Sequence, residues 1–408
     1  MILIGGGGIG GLTLALMLHR RGIPCAVFEQ AETARELGVG INTLPHAIGE
    51  LAALDLLPAL DTVAVRTREL IYVNRFGQEV WREMRGLEAG HPLPQLSIHR
   101  GRLHGVLHRA ARERLGDGGL HSGAKLVGFV QDASGVTATF TRRDGTGLEV
   151  RGDALVAADG IHSAARAMLH PADPGIRWNG IMIWRGATAF PRFLDGRTMV
   201  IAGDMTEKLV LYPIGPEPDG RMLTNWALCI RMGDGSIPPP GREDWSRVGR
   251  REDIAATLDR IALPWIDPRA LIAATPEFYE YPMCDRDPLP FWTRGRVTLL
   301  GDAAHPMYPV GSNGASQAIL DARCLADLLA AGPAPEALAA YERERLPKTS
   351  EIVLANRKGG PERVVDVVSA RAPDGFTRLE DVIDREELAA IAGGYATMAG
   401  FAAPVSRR

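Results

Sequence analysis

The chain has 408 residues, of which 46 are Lys or Arg and 49 are Asp or Glu, for a net charge of −3. At roughly 150 residues per domain, this length predicts two to three domains. The basic residues form no cluster of the kind that binds nucleic acid or an anionic membrane, so we expect a small-molecule ligand. The four cysteines lie far apart and form no C-x-x-C pair, which argues against a zinc site or a disulfide framework and favours the cytoplasm.

The N-terminal segment predicts a strand, a glycine-rich turn and a helix, which together open a βαβ unit. The strand spans Ile2 to Ile4, the turn spans Gly5 to Gly11, and the helix runs from Leu12 to Arg21. A second strand, Cys25 to Phe28, is followed directly by the acidic residue Glu29. This order places the turn between a buried strand and the N-terminus of a helix.

Later segments predict a second sheet and further parts of the first. A hairpin is predicted over Leu70 to Trp81 and a helix over residues 100–115. Between Arg177 and Ile230, four strand-like runs separated by Gly, Pro and Asp turns predict an antiparallel sheet. A buried strand at Val297 to Leu300 precedes an apolar helical stripe, and the tail beyond Pro361 is expected to be helical.

The glycine-rich turn contains the motif G-x-G-x-x-G, which in this strand-turn-helix setting predicts a dinucleotide site. Gly6 would make the tight turn, Gly8 would let the backbone approach a pyrophosphate, and Gly11 would let the helix pack on the strand. The free N–H groups of the helix N-terminus would bind the phosphates. Glu29, 23 residues after Gly6, would accept hydrogen bonds from the adenosine ribose.

Two other predicted strand ends carry an acidic residue beside a glycine. Asp159 precedes Gly160 at one of them, and Asp302 follows Gly301 at the other. Each of these turns alone is ordinary loop chemistry. No second G-x-G-x-x-G has a strand and a helix around it, which disfavours a separate nicotinamide-binding domain. The three strand ends therefore predict one shared cofactor site.

With these three motifs, the chain resembles the class A flavoprotein monooxygenases, the p-hydroxybenzoate hydroxylase family, over residues 2–355. The resemblance implies an α/β fold with a Rossmann-like FAD-binding domain, an inserted antiparallel-sheet substrate domain and C-terminal helices. The implied FAD-binding domain comprises residues 1–69, 97–176 and 285–355. The implied substrate domain comprises residues 70–96 and 177–284, and the C-terminal tail comprises residues 356–408.

The resemblance also implies which residues bind the cofactors. The first motif and Glu29 hold the adenosine diphosphate part of FAD, and Asp302 holds the ribityl chain. Asp159 serves both FAD and a transient NADH or NADPH, while Arg35 and Arg100 match arginines that contact FAD in the family. The full set of implied cofactor-binding residues is Gly6, Gly8, Gly10, Gly11, Glu29, Arg35, Gly40, Ile41, Arg100, Asp159, Asp302, Pro309, Gly311, Asn313 and Gly314.

The activity that the resemblance implies is an FAD-dependent monooxygenation that consumes NAD(P)H and O2. In this family O2 adds at the flavin C4a position, and the resulting hydroperoxide delivers an electrophilic oxygen to an aromatic or N-heteroaromatic ring. No side chain is expected to be catalytic, because the flavin carries the chemistry. The protein is expected to position the substrate and to exclude water.

The segment from Gly311 to Asp321 departs from the broad family at Ser316 and Leu320, where many members carry Asn and Glu. It is similar instead to a subgroup of the family that modifies phenazines. The stretch Trp184 to Gly186 matches the same subgroup. The resemblance therefore implies a phenazine-like substrate.

The substrate pocket is expected between the antiparallel sheet and the loop from Pro309 to Asn313. Tyr212, Met307 and Pro309 are the predicted pocket wall. The helix that begins near Gly314 would direct its positive end at the same loop, where it would stabilise an anionic reduced flavin.

A single dinucleotide motif also predicts a mobile flavin ring. The ring would move between an exposed position for hydride transfer and a dry position for oxygen transfer. Four glycines would supply the clearance for this movement. They are Gly38, Gly40, Gly311 and Gly314.

Two alternatives stay open at this point. One is a decarboxylating hydroxylase or an epoxidase on a benzoate-type acid, whose carboxylate Arg185 would bind. The other is a flavin redox partner that inserts no oxygen. His305 is expected to order its loop, and the histidines show no metal-binding pair, so no metal is expected. The expected partners are a small aromatic molecule and, in a homodimer, a second copy of the chain, with neither nucleic acid nor membrane.

Overall fold

The computed structural model describes residues 1–33, 39–116, 118–239 and 247–402. Its strands are β1 Ile2–Gly5, β2 Cys25–Glu29, β3 Gly40–Thr43, β4 Ala64–Thr67, β5 Glu69–Val73, β6 Glu79–Met84, β7 Gln95–His99, β8 Leu120–Ser122, β9 Ala124–Gln131, β10 Val136–Arg142, β11 Gly147–Gly152, β12 Ala154–Ala157, β13 Ile176–Phe190, β14 Thr198–Gly203, β15 Glu207–Pro216, β16 Met222–Arg231, β17 Tyr279–Arg286 and β18 Val297–Leu299. Its helices are α1 Ile9–Arg20, α2 Pro45–Ala53, α3 Leu57–Asp61, α4 Arg100–Leu115, α5 Ala164–Leu169, α6 Glu252–Leu258, α7 Pro268–Ala273, α8 Gly314–Ala331, α9 Ala334–Arg357, α10 Arg363–Arg371 and α11 Arg385–Met398. Within the described residues, no helix combines the length and the apolar character needed to cross a membrane.

A parallel sheet of five strands, in the order β18-β12-β1-β2-β8, forms the nucleotide-binding half of the fold. Leu3 of β1 pairs with Leu155 of β12, and both are fully buried, as is typical of parallel strands covered on both faces. All pairings in this sheet are parallel, so the carboxyl ends of its strands meet at one edge. Gly6, Asp159 and Asp302 follow β1, β12 and β18 at that edge, which is where open α/β sheets bind ligands.

Local sequence signals start two of the short helices. The Ser163 hydroxyl accepts a hydrogen bond from the Arg166 backbone N–H at 3.0 Å and so caps α5. Asp267 caps α7 in the same way. In α1, all residues from Gly11 to Leu18 are buried, because the sheet, α4 and α8 surround this helix.

The second large sheet has seven strands in the order β17-β13-β16-β15-β14-β5-β6. Its pairings are antiparallel, as predicted, except that β5 and β14 run parallel. The chain between Val73 and Thr198 passes through the parallel sheet, so no tight hairpin imposes antiparallel pairing on these two strands. One face of the seven-stranded sheet packs against α6 and α7, and the other face packs against α10 and α11.

Two small antiparallel sheets and the C-terminal helices complete the described fold. The sheet β3-β7-β4 contacts β15 of the seven-stranded sheet on one side and the helices α2 and α4 on the other, and β11-β10-β9 packs against the parallel sheet. The predicted helical tail is confirmed, and Val364, Val368 and Leu388 of α10 and α11 pack against Leu70 and Val80. The division of the chain into domains stays a prediction.

Candidate active site

The glycine-rich turn after β1 has a geometry that only glycine allows. Gly6 has a φ of +113°, and a Cβ there would lie 2.2 Å from the Ala158 carbonyl oxygen. A Cβ on Gly11 would lie 2.0 Å from the Gly6 carbonyl oxygen. A Cβ on Gly8, by contrast, would meet no atom within 4 Å. Gly6 and Gly11 are therefore required by packing, and the backbone at Gly8 is open to a ligand at the N-terminus of α1.

Glu29 holds this turn from the end of β2. Its two carboxylate oxygens accept hydrogen bonds from the Gly7 N–H at 2.7 Å and the Ala31 N–H at 2.8 Å. The imidazole of His104 contacts the Gly7 carbonyl oxygen at 2.7 Å. Because a carboxylate has about four acceptor positions, Glu29 retains the capacity to accept from a ribose. The sequence predicted the ribose contact but not this role in ordering the turn.

Asp159 occupies the end of β12, beside the glycine turn. One of its oxygens accepts a hydrogen bond from the Ala164 N–H at 2.8 Å. The other, Oδ1, is buried without a hydrogen-bond partner of good geometry among the described residues. Burial raises the pKa of the Asp159 carboxyl above its usual range. A buried acceptor in this state fits a ligand that donates a hydroxyl group.

Asp302 follows the end of β18. Its side chain is accessible to solvent, yet the surrounding protein raises the pKa of its carboxyl, and the positive charge of Arg100 opposes this rise. Arg100 begins α4, and its N–H donates to the Val39 carbonyl oxygen at 3.0 Å. A carboxyl group that is surrounded by protein atoms and still exposed to solvent could accept hydrogen bonds from the hydroxyls of a polyol chain, as predicted for Asp302.

A buried charge network supports the loop that carries Asp302. The fully buried Asp321 carboxylate accepts from the Arg345 guanidinium at 2.7 Å and from the Gly301 N–H at 3.2 Å, and it contacts the His305 imidazole at 2.5 Å. Burial opposes ionisation, but the charges of His305 and Arg345 prevail and lower the Asp321 pKa to about 2. The imidazole of His305 is thus held by Asp321, in line with the loop-ordering role predicted for it.

The loop before α8 is anchored by the C-terminal helix α11. The Asn313 side chain donates a hydrogen bond to the Tyr395 hydroxyl at 2.8 Å, and Tyr395 donates in turn to the side-chain oxygen Oδ1 of Asn356 at 2.6 Å. Gln317 donates to the Asn313 side chain at 3.2 Å. The role of Tyr395 was missed by sequence reasoning, since the Ala-rich tail carries no recognisable motif. This anchor fixes the loop that faces the N-terminus of α8.

Two of the glycines that were predicted to give the flavin clearance have packing roles, and the clearance itself stays a prediction. A Cβ on Gly40 would lie 2.7 Å from Tyr212 and Ile214, so Gly40 serves the packing of β3 on β15. A Cβ on Gly311 would lie 2.5 Å from the Tyr395 hydroxyl, so Gly311 serves the contact with α11. At Gly314 a Cβ would make only ordinary contact, which leaves the predicted clearance open there. Gly38 lies outside the described residues.

Ile41 and Arg35 are two further predicted cofactor residues close to Gly40 in the sequence, and the structure describes only Ile41. Ile41 follows Gly40 on β3 and pairs with Ile98 of β7. The Gly40 N–H donates to the Asn225 side chain at 2.7 Å, which ties β3 to the seven-stranded sheet. Arg35 lies outside the described residues.

A cavity lies between the seven-stranded sheet and the loop before α8. The empty space within it, including its opening to solvent, is about 910 Å³. Tyr212 and Pro309 line it, as predicted. Met307 is wrongly predicted as pocket wall, because its side chain packs with Leu44, Tyr395 and the end of α11 instead.

The cavity also holds buried cationic groups. Arg185 of β13 is 9% exposed, and its desolvation lowers the pKa of the guanidinium to about 9. Lys208 of β15 forms a buried ion pair with Glu362. Lys208 was missed, although it shares a strand face with the predicted Tyr212, four positions along β15. Anionic ligands are therefore favoured near Arg185.

Comparisons with known proteins agree with this geometry. The model of the FAD binding domain family matches residues 1–208 and 273–355. The phenazine 1,6-dicarboxylic acid hydroxylase PhzS of Lysobacter antibioticus is 45% identical over 363 residues, which cover 87% of this chain and 89% of that protein. The 3-amino-4-hydroxybenzoate 2-monooxygenase PtnB3 of Streptomyces platensis is 35% identical, with 99% of this chain and 96% of that protein covered.

A solved structure adds the same result at the level of the fold. The crystal structure of Klebsiella pneumoniae HpxO complexed with FAD and uric acid superimposes with a TM-score of 0.77 at 25% identity. The match covers 98% of this chain and 97% of HpxO. The family model, the relatives and the FAD-complexed structure all agree with the predicted α/β fold, the FAD cofactor and the monooxygenase activity. The chain therefore belongs to the class A FAD-dependent aromatic monooxygenases, the family of p-hydroxybenzoate hydroxylase.

Proposed function

We propose that this monooxygenase hydroxylates a phenazine-like aromatic acid and that it consumes NAD(P)H and O2. The observation that supports the substrate class is Arg185, a buried guanidinium in the wall of the cavity beside the flavin loop. The pKa of Arg185 is lowered because burial disfavours its charged form, and an anion bound there would stabilise that charge. The names of the two relatives describe aromatic acids, which agrees with this choice.

The residues at the edge of the parallel sheet fit FAD. The open backbone at Gly8 and the N-terminus of α1 would hold the pyrophosphate, and Glu29 would hold the adenosine ribose. Asp302 would bind the ribityl hydroxyls, and Asp159 would serve FAD and the nicotinamide cofactor. When bound, FAD supplies the hydride acceptor and the oxygen-activating centre of the reaction.

The chain's own contribution to the reaction is to position the substrate and to exclude water from the site. The N-terminus of α8 begins at Gly314 and would stabilise negative charge on a group above the preceding loop. The sheet lines the cavity with Ala227, Val210 and Ile201, and Pro361 and Phe401, which flank α10 and α11, line it as well. These apolar side chains would limit the access of water to the reacting ring. Tyr212 and Pro309 would contact the substrate from opposite sides.

Turnover measurements test this proposal. We expect phenazine carboxylates to stimulate NADH or NADPH consumption and to gain the mass of one oxygen atom. A decarboxylating hydroxylase on a benzoate-type acid would release CO2 and lose the corresponding mass, so product mass separates the two. The expectation of a redox partner without oxygen insertion is not supported, since the relatives are hydroxylases and monooxygenases.

Replacement of Arg185 by Met is expected to raise the KM for an aromatic acid about 10- to 100-fold, because a charge-assisted hydrogen bond contributes about 1.5–3 kcal/mol. The matched substrate is the corresponding neutral carboxamide, whose KM should change much less. Flavin content reports whether the variant still binds FAD. An equal rise in KM for acid and amide would contradict the assignment of Arg185 to the carboxylate.

Replacement of Glu29 by Ala is expected to weaken FAD binding about 10- to 100-fold, which corresponds to about 1–3 kcal/mol. The physical reason is the loss of the ribose acceptor together with the hydrogen bond from the Gly7 N–H, which holds the glycine turn. Titration of the apoprotein with FAD measures the effect. A changed site of oxygenation with intact FAD affinity would move Glu29 from the cofactor to the substrate.

The domain division predicted from the sequence is retained as part of this proposal. The parallel sheet would belong to the FAD-binding domain, and the seven-stranded sheet would belong to the substrate domain. The homodimer and the cytoplasmic location also stay predictions.

A further inference from the structure

One row of residues crosses the floor of the cavity from strand to strand. Arg185 pairs with Ala227, Ala227 pairs with Val210, Val210 pairs with Ile201, and Ile201 pairs with Tyr72. All five residues line the cavity. Paired residues on neighbouring strands share one face of a sheet, so this row forms a continuous surface under the ligand.

The row is polar at both ends and apolar in the middle. Four strand spacings separate Arg185 on β13 from Tyr72 on β5, which places their Cα atoms about 19 Å apart. A single benzene ring with one carboxylate has only one acid group, so it cannot bind at both polar ends. A fused, flat ring system with an acid group at each end can, and its apolar centre would lie on Ala227, Val210 and Ile201.

The end of the row at Tyr72 carries buried polar atoms that lack partners. The Tyr72 hydroxyl is fully buried and has no hydrogen-bond partner within the described part of the chain. Arg85 Nε and Gln95 Oε1 are also buried and have no hydrogen-bond partner within the described part of the chain. The Arg85 guanidinium pairs with Glu83 at 2.7 Å through a different nitrogen. Tyr72, Arg85 and Gln95 all line the cavity. Buried polar groups without partners are costly, so their persistence at one place indicates a ligand.

The chemistry of these atoms indicates the kind of group that they bind. The Tyr72 hydroxyl and the Arg85 Nε–H are donors, and burial holds the Tyr72 pKa well above its usual value, so its proton stays in place at neutral pH. Two donors, one of them on a cation, match a carboxylate best. Gln95 Oε1 would accept from a water that bridges to the same group. The neighbouring Lys208 is already paired with Glu362.

We propose that Tyr72, Arg85 and Gln95 form a second polar subsite, which binds the far carboxylate of a flat aromatic diacid. The near carboxylate would bind at Arg185, so this inference rests on the proposed function and makes its substrate class narrower. The enzyme would then select diacids over monoacids by the two ends of one row. Specificity would then depend on a polar subsite at each end of the row.

The test compares two ligands on the FAD-loaded protein by calorimetry. The ligands are phenazine-1,6-dicarboxylate and phenazine-1-carboxylate, which differ only in the second acid group. For Tyr72→Phe we expect the ratio of the diacid Kd to the monoacid Kd to rise at least tenfold, and for Arg85→Gln we expect the same direction. Tyr72→Phe removes only an unpartnered hydroxyl, so its melting temperature without ligand should not fall.

The control variant is Thr188→Val, which removes a hydroxyl on the other face of the same sheet, where it bonds to the Ala274 carbonyl oxygen at 3.0 Å. It should leave both dissociation constants unchanged. Equal changes for diacid and monoacid in Tyr72→Phe, or no change in either, would overturn the second subsite. If the monoacid is bound and hydroxylated while the ratio stays constant, the proposed function stands and only the second subsite fails. If neither acid binds to the wild type, both are wrong.

Discussion

Asp302→Ala protein is expected to emerge from purification with most of its FAD missing. Asp302 is exposed just after the end of β18, and its carboxylate would accept hydrogen bonds from the ribityl hydroxyls. Loss of charge-assisted hydrogen bonds of about 1.5–3 kcal/mol corresponds to a Kd for FAD about 10- to 100-fold higher. Flavin absorbance after gel filtration, followed by titration of the apoprotein with FAD, measures the effect.

Two companion variants make the Asp302 result specific. Asp302→Asn keeps the shape and one acceptor but loses the charge, so its FAD affinity should lie between those of wild type and Asp302→Ala. Asp219→Ala removes an exposed carboxylate that pairs only with its own turn and with Arg221, and it should keep its flavin. Unchanged affinity in Asp302→Ala would remove Asp302 from the cofactor site.

Arg345→Met is expected to lower the stability of the fold by about 3–5 kcal/mol, the usual cost of leaving one member of a buried ion pair behind. Arg345 is 6% exposed and pairs with the fully buried Asp321, and it also donates to the Gln317 side chain at 2.6 Å. Urea unfolding of FAD-free protein measures the change. Arg323→Met, which breaks exposed pairs with Glu50 and Asp327, is the matched control and should cost about 1 kcal/mol or less.

The same network predicts a pH dependence. Folding lowers the pKa of Asp321 from 3.8 to about 2, so the ionised carboxylate is favoured in the folded state. This stabilisation is fully present above about pH 4 and is lost as the pH falls through about 2. Its size is about 2 kcal/mol at one pKa unit per 1.36 kcal/mol. The difference in unfolding free energy between wild type and Asp321→Asn should therefore shrink in this window, and a constant difference would contradict the role of the charge.

The parts of the site that sequence reasoning found are those with local causes. Gly6, Gly11 and Glu29 act within one strand-turn-helix unit, and the spacing of that unit is visible in the chain. The meeting of Asp159 and Asp302 at one edge follows from the parallel order of the strands before them. Tyr212 was placed correctly because its strand alternates between the two faces of a sheet.

The parts that escaped depend on contacts between distant segments. Tyr72 and Arg185 share a row only through the pairings of five strands, and one of those pairings is parallel. Met307 lies in a loop, where no periodicity indicates the direction of a side chain, so its place against the end of α11 could not be predicted. The Lys208–Glu362 pair joins residues far apart in the chain, and the sequence carries no signal for such a pair.

The anchoring of the loop by Tyr395 bears on how specificity can be transferred between relatives. The family model ends at residue 355, but Tyr395 holds the loop through Asn313, and α10 and α11 cover the sheet face that carries the substrate cavity. A chimera that exchanges only the seven-stranded sheet would therefore pair a new sheet face with C-terminal helices that fit the original one. Grafts that move the seven-stranded sheet and the C-terminal helices together should keep a closed cavity.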